Sequence, residues 1–223
     1  MAKDKRKNDV TDQGRLLTGH GTAQSRMQLA AGQLVYRQGE AADAVFYVTD
    51  GIVKISVVVP SGKEAVVGIR HAGEFFGTRC LIARRAGTAS ALTACSLIRV
   101  TTSGLIRLLR HQPDFAEMFA TYLVRQSLDD QELLVDQLIN SAETRLARAL
   151  LRLAERENGG DAAPIPARIN QTVLAEMVGT TRSRVNLFMN KFKREGLIEY
   201  NRAGDISVRH ALHHVLMAQR SQR

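Results

Sequence analysis

The sequence predicts an α+β chain: an antiparallel β-sandwich or roll first, a long helix second, and a compact helical unit closed by a β-hairpin last. Three observations predict it. Short β-branched runs separated by glycine turns fill residues 33 to 100, an apolar stripe at helical spacing runs from about 113 to 140, and two short capped helices followed by a hairpin occupy 170 to 208. With 223 residues and 44% hydrophobic side chains, the chain can bury ordinary globular cores.

Residues 1 to about 25 are polar, glycine-rich and aperiodic, which predicts a flexible basic arm. Val45-Phe46-Tyr47-Val48 then meets the turn pair Asp50-Gly51 and the run 52–59. Pro60-Ser61-Gly62-Lys63 turns the chain into 65–69, and 89–100 adds further short apolar runs. Strands at this spacing indicate sheets stacked as a sandwich or roll.

After Thr102 the period lengthens. Pro113 suits a first helical turn, because its missing N–H would be unpaired there in any case. Phe115, Met118, Phe119, Tyr122 and Leu123 share one face, and the pattern continues through Leu133, Leu134 and Leu138. A helix over 113–140 is about 40 Å long. Its stripe needs a cover, either the β-roll or a second copy of the same helix, and periodicity does not separate the two. A second helix is expected from Glu143 to about Glu157, stopped by Asn158-Gly159-Gly160. The stretch 161–168 holds two prolines and reads as a loop.

The segment 170–179 reads as a short helix that Asn170 caps and Gly179 terminates. Thr181 caps a second helix, 182–195. Small Ala175 lets the two cross closely, while Leu174 with Val178 and Val185 with Phe188 supply paired apolar faces. Residues 197–200 and 206–208, joined by 201–205, form a hairpin wing. This is a winged helix-turn-helix, whose second helix places its N-terminal residues against base edges in the major groove. Arg182, Ser183 and Asn186 are the candidate base readers: Arg182 matches guanine bidentately and Asn186 matches adenine. Gln171, Arg184, Asn190 and Lys191 are candidate phosphate contacts, which position without specifying. The competing reading is a structural helical hairpin with a solvated basic face.

Charge agrees with a nucleic-acid partner. Of the net +9, a surplus of six lies in residues 141–223, with fourteen Lys/Arg against eight Asp/Glu, whereas 27–140 balances at eleven each. A basic terminal unit gains affinity by releasing counterions from phosphates. No apolar run approaches the roughly 18 residues of a membrane span, and no apolar signal region follows the charged N-terminus. A cytoplasmic chain with no membrane partner is expected. Cys80 and Cys95 are too few for a disulfide framework and read as a structural pair of buried thiols or, alternatively, as redox-sensing residues. No nucleophile–base set, metal cluster or phosphate loop suggests an enzyme. His210, His213 and His214 could share a helix face, but no carboxylate or thiolate joins them at ligand spacing.

Over about residues 26–210 the sequence resembles the CRP/FNR (cyclic AMP receptor protein / fumarate-nitrate regulator) superfamily of bacterial transcription regulators. The N-terminal matches are Gly39-Glu40, 45–48 with Asp50-Gly51, and Gly73-Glu74-Phe75-Phe76-Gly77. The C-terminal matches are Thr144-Arg145-Leu146-Ala147 and 174–182. The resemblance implies a flexible arm over 1–25 and a cyclic-nucleotide-binding-like β-roll (a double-stranded β-helix) over 26–112. A central dimerisation helix over 113–140 and a winged helix-turn-helix over 141–223 follow. It also implies a homodimer on a near-palindromic operator in double-stranded DNA, working with RNA polymerase. Arg182 falls where the family's groove-reading arginine lies. Ser183 stands where many members have glutamate, so a different operator is expected.

The effector is less defined. In nucleotide-binding members a glutamate after the equivalent of Gly77 bonds the ribose, and a later arginine meets the cyclic phosphate. Here Thr78 replaces that glutamate, a loss of about 1.5–3 kcal/mol, and Arg84 or Arg85 takes the arginine's place. Asp130 and Gln131 stand where hydroxyl residues usually face the base. Gly77, Thr78, Arg84, Arg85, Asp130 and Gln131 would form a pocket for cAMP or cGMP; otherwise Arg84 and Arg85 are solvated loop charges and the chain binds DNA without an effector. The family's iron–sulfur cysteine clusters are absent, and His71 is a weak candidate for a haem ligand. A different class of reading is a cyclic-nucleotide-responsive signalling module whose C-terminal domain mainly contacts protein.

Overall fold

The computed structural model describes Leu17 and residues 24–81, 84–155, 162–165, 169–201, 205–213 and 216. Two compact units, Met1–Leu128 and Asp129–Arg223, divide the chain. The first unit holds β1 (Gln24–Leu29), β2 (Leu34–Tyr36), β3 (Ala44–Asp50), β4 (Ile52–Val58), β5 (Glu64–His71), β6 (Phe75–Phe76), β7 (Thr88–Ala91) and β8 (Cys95–Thr101). These make two four-stranded antiparallel sheets in the orders β1-β8-β3-β6 and β2-β7-β4-β5. Gly51, at φ 84°, turns β3 into β4; a side chain there would meet the Ala94 carbonyl at 2.2 Å, so only glycine fits.

The period of two in β3 explains why its whole run is apolar. Ala44, Phe46 and Val48 point into a core with Val53, Phe76, Ala89, Ala91 and Leu97. Val45 and Tyr47 point the other way, into a second core with Phe75, Ile98, Leu105, Leu108, Phe115 and Phe119. A strand buried on both faces loses its polar alternation.

Two sequence expectations in this unit are corrected. The segment read as a flexible arm contributes Leu17, fully buried in the second core, and its last residues, Gln24 and Ser25, already belong to β1. The rest of the arm lies outside the described residues. A helix absent from the sequence reading, α1 (Thr102–His111), follows β8 directly, with Thr101 Oγ1 accepting from the Gly104 N–H.

Helix α2 spans Pro113–Ile139, as its stripe predicted to within a residue. The stripe is divided between two roles. Phe115, Phe119 and Tyr122 pack edge-on around Phe75, and the Tyr122 hydroxyl donates to the Phe75 carbonyl. Farther along, Val124, Leu128, Leu134, Val135, Leu138 and Ile139 are each more than half exposed.

The second unit adds α3 (Ala142–Glu155), β9 (Ala162–Pro164), α4 (Gln171–Val178), α5 (Arg182–Arg194), β10 (Ile198–Tyr200) and β11 (Ile206–Arg209). The sheet order is β10-β11-β9. Strand β9 corrects the expected loop at 161–168: Pro164 pairs with Ser207 on an outer strand, where its missing donor is tolerated. Buried Leu146, Leu150, Leu174, Val185, Met189, Phe192 and Ile198 provide this unit's apolar interior.

Candidate nucleic-acid interface

The turn between α4 and α5 is fixed by its caps. Asn170 Oδ1 accepts from the N–H groups of Thr172 and Val173 at 2.9 and 3.1 Å. Gly179 takes the left-handed conformation at φ 70°, and Thr181 Oγ1 accepts from the Arg184 N–H at 3.3 Å. All three were legible in the sequence. Each pairs helix-end groups that would otherwise be left to water.

Helix α5 buries Val185, Met189 and Phe192, spaced i, i+4, i+7. The opposite strip repeats that spacing as Ser183, Leu187, Asn190 and Arg194, all exposed. Arg182, Asn186 and Lys193 form one flank, and Arg184 with Lys191 the other. The structure thus brings Arg182, Ser183, Arg184, Asn186 and Asn190 onto the outward side. It also centres the face on Leu187, which the sequence reading passed over and which is 64% exposed.

Internal contacts engage four of the expected DNA residues. Lys191, half-buried, gives its ammonium to Glu143 Oε1 at 2.7 Å, and that bond raises its pKa. Lys193 and Arg194, expected beside it on the same helix, stay exposed as outward cations. Gln171, also half-buried, donates from Nε2 to Asn186 Oδ1 at 3.3 Å and bonds the Tyr200 hydroxyl in the wing. Asn190 Nδ2 donates to the same Asn186 oxygen at 3.3 Å. With two donors already on that carbonyl, the NH2 is the end of Asn186 left to meet a base. The bidentate adenine match needs the oxygen as well, so it would displace both neighbours. Lys193 Nζ lies 5.5 Å from the Tyr200 ring centre and links helix to wing.

Arg145 ties the unit together, and the sequence reading gave it no role beyond a family match. Its Nε donates to the Val178 carbonyl at 3.0 Å, and its Nη1 donates to the Asn140 and Gln137 carbonyls at 2.9 and 3.4 Å. These are C-terminal carbonyls of α4 and α2, where a cation also meets the negative helix ends. Beside it, buried Asp136 pairs with Arg148 at 2.9 Å and accepts from Asn140.

In the first unit the expected effector residues are only partly brought together. Arg85 is not a solvated loop charge: it is 4% exposed, with its guanidinium 4.3 Å from the Tyr36 ring centre. Its Nη1 donates to the Gly77 carbonyl at 3.2 Å and its Nη2 pairs with Asp43 Oδ1 at 3.3 Å, while its buried Nε has no partner among the described residues. Asp43 also pairs with Arg99 through its other oxygen. These residues, with Met27, Val35, Tyr36, Glu40, Ala41 and Phe46, line a cavity of about 250 Å³. Burial raises the Tyr36 phenol's pKa against the pull of Arg85 and Arg70. Arg84 is exposed and donates to the Gly39 carbonyl. Thr78 begins a 3-10 turn, and Asp130 and Gln131 are exposed on the part of α2 that belongs to the other unit. As arranged, both Arg85 Nη atoms are engaged, so a cyclic phosphate would meet this guanidinium in competition with the Asp43 carboxylate.

Both thiols are buried and free, with pKa raised chiefly by burial. His210 and His213 rings lie 4.8 Å apart, His214 is outside the described residues, and no cluster suited to a metal occurs among those described. No described helix is long and apolar enough to cross a membrane.

Comparison with known proteins decides the family. The model of the cyclic nucleotide-binding domain matches residues 26–112, and the model of the Crp-like helix-turn-helix domain matches 144–213. The chain belongs to the CRP/FNR superfamily. As a CRP/FNR member it is a transcription regulator with a DNA-binding helix-turn-helix. A CRP-like cAMP-activated global transcriptional regulator of Mycobacterium tuberculosis is 26% identical over 171 residues, 75% of this chain and 76% of that protein. The cyclic AMP receptor protein of Thermus thermophilus is 27% identical over 205 residues, 86% of this chain and 92% of that one. The structure of FixK2 from Bradyrhizobium japonicum superposes with TM-score 0.77 at 17% identity, covering 86% and 96% of the two chains, and supports the shared fold.

Proposed function

We propose that this CRP/FNR regulator works in the cytoplasm as a homodimer on a near-palindromic operator and acts through RNA polymerase rather than by catalysis. The single observation that carries the DNA-reading role is the capped, outward face of α5. Arg182, Arg184, Lys193 and Arg194 there frame Ser183, Leu187 and Asn190, while the opposite face is buried. Arg182 and Ser183 read base edges, and Asn186 does so through its NH2. Arg184 and Asn190 contact phosphates alongside Lys193 and Arg194, whereas Gln171 and Lys191 act by holding Asn186 and the helix in place.

The exposed apolar residues of α2 support dimerisation, since a second copy of the same stripe would cover them. The functional divisions are the roll, which β1 opens at Gln24 and which runs to about 112, the dimer helix over 113–140 and the reading domain over 141–223. Cyclic nucleotide, cAMP or cGMP, is the ligand class the roll matches. Asp43 opposes it at Arg85, so operator binding without added nucleotide is expected. Selection of DNA from a random pool, with and without cAMP and cGMP, tests both points. A two-half-site motif with centres about 34 Å apart, enriched without nucleotide, is expected. Enrichment of no motif under any condition would overturn the proposal and favour a protein-contacting signalling module.

A further inference from the structure

We infer that Leu187 is a specificity residue that reads the C5-methyl group of a thymine in each half-site of the operator. The inference rests on the DNA-reading role proposed for α5 and adds a determinant of a different chemical kind. A lone exposed leucine elsewhere on a protein surface is ordinary and calls for no explanation. This one sits at the middle of the outward strip, one turn beyond Ser183 and one before Asn190, on the side opposite buried Val185, Met189 and Phe192. At 64% exposed it contributes little to the unit's core, where Leu174, Met189 and Phe192 are nearly or wholly buried.

The surroundings select its partner. Exposed Arg182, Arg184, Lys193 and Arg194 share the outward half of the helix with the leucine. A polyanion satisfies those cations, whereas an apolar protein patch would have to bring matching carboxylates with it. Within a DNA major groove the apolar group on offer is the thymine methyl, and aliphatic side chains are suited to touch it. The neighbouring polar groups cannot take that role. The Asn186 carbonyl is held by Gln171 and Asn190, so its exposed end is a donor that seeks an acceptor on a base edge. A base step read here therefore offers an acceptor to Asn186 and a methyl to Leu187, and thymine carries both, as O4 and the C5-methyl.

The test uses the full chain on the site it selects from a random pool. Each thymine of that site is replaced singly by deoxyuridine, which removes the methyl and leaves every hydrogen-bonding group. Wild-type binding is expected to weaken about three- to five-fold at one thymine per half-site, the worth of about one buried methyl. Leu187→Ala should bind the parent site more weakly and be indifferent, within about 1.5-fold, to the same replacement, with an unchanged salt dependence. Leu187→Met, which keeps an aliphatic tip, should retain the sensitivity. Because Leu187 is exposed, each variant should melt with the wild type, which separates lost reading from lost fold. A selected site with no methyl-sensitive thymine, or one whose sensitivity survives in Leu187→Ala, would overturn the inference and leave the DNA-reading role intact. Failure to select any DNA would overturn both.

Discussion

Arg145→Ala removes a guanidinium that closes the ends of two helices at once, and its cost can be worked from the contacts. Two bonds have good geometry, to Val178 at 3.0 Å and Asn140 at 2.9 Å, and the third, to Gln137, is long at 3.4 Å. Hydrogen bonds from a charged donor contribute about 1.5–3 kcal/mol each when buried. Arg145 is half-exposed, so about 1 kcal/mol for each good bond is appropriate. The cation at two helix C-termini adds about 0.3–1 kcal/mol apiece. The sum is about 2–4 kcal/mol, against a total domain stability of about 5–15 kcal/mol.

Urea unfolding of the full chain followed by circular dichroism should show the transition of the second unit move down by about 1–2 M, given slopes of about 1–3 kcal/mol per molar. Arg145→Lys keeps the charge but not the fork, and should recover no more than half of the loss. DNA affinity should fall with the alanine variant, because the Val178 carbonyl lies at the turn that launches α5. A midpoint unchanged within about 0.3 M in Arg145→Ala would refute the assignment of Arg145 as the clamp.

Other perturbations bear on separate parts of the account. Asn170→Ala frees two N–H groups at the start of α4 and should destabilise the second unit by about 0.5–2 kcal/mol, read as a lower melting temperature; no change would show that the cap is dispensable. Asp43→Asn leaves buried Arg85 without its carboxylate, so it should lower the first unit's stability by about 1–3 kcal/mol while tightening cAMP or cGMP binding measured by calorimetry. Weaker or unchanged nucleotide binding would contradict the competition between Asp43 and phosphate. Both thiols are held neutral by burial, with pKa raised above the ordinary value. Their contribution to stability is therefore complete below the ordinary thiol pKa and is lost as pH rises through the folded values. Alkylation of the native chain at pH 8 should run far slower than of the urea-unfolded chain, and equal rates would refute the burial of Cys80 and Cys95.

Much of this arrangement was legible because it is local. Asn170, Gly179 and Thr181 announce helix ends through chemistry confined to three or four residues, and the stripe from Phe115 onward fixes α2 by its period alone. Three kinds of feature escaped. Helix α1 hides behind a glycine in its first turn, Gly104, and has only Leu105 and Leu108 fully buried as an apolar signal. Strand β9 is three residues long beside prolines, and its existence depends on Ser207 and its neighbours, more than forty positions away. The roles of Arg85, Lys191 and Gln171 are set by Asp43, Glu143 and Asn186, partners distant in sequence that no spacing rule connects. Leu187 was passed over for another reason: an apolar residue in a helix is assigned to the core by default, and only the structure shows that Val185, Met189 and Phe192 already fill that side.

The most direct test of the reading helix is fluorescence anisotropy of the selected site against a scrambled duplex, for wild type and Arg182→Ala, across a range of salt. The wild type should prefer the selected site, with affinity falling steeply and linearly in the logarithm of salt concentration. Arg182→Ala should keep most of that slope and lose most of the preference, about 1–3 kcal/mol for each bidentate contact removed. A preference equal to the wild type's in Arg182→Ala, or wild-type binding indifferent to salt, would contradict the placement of α5 against the bases.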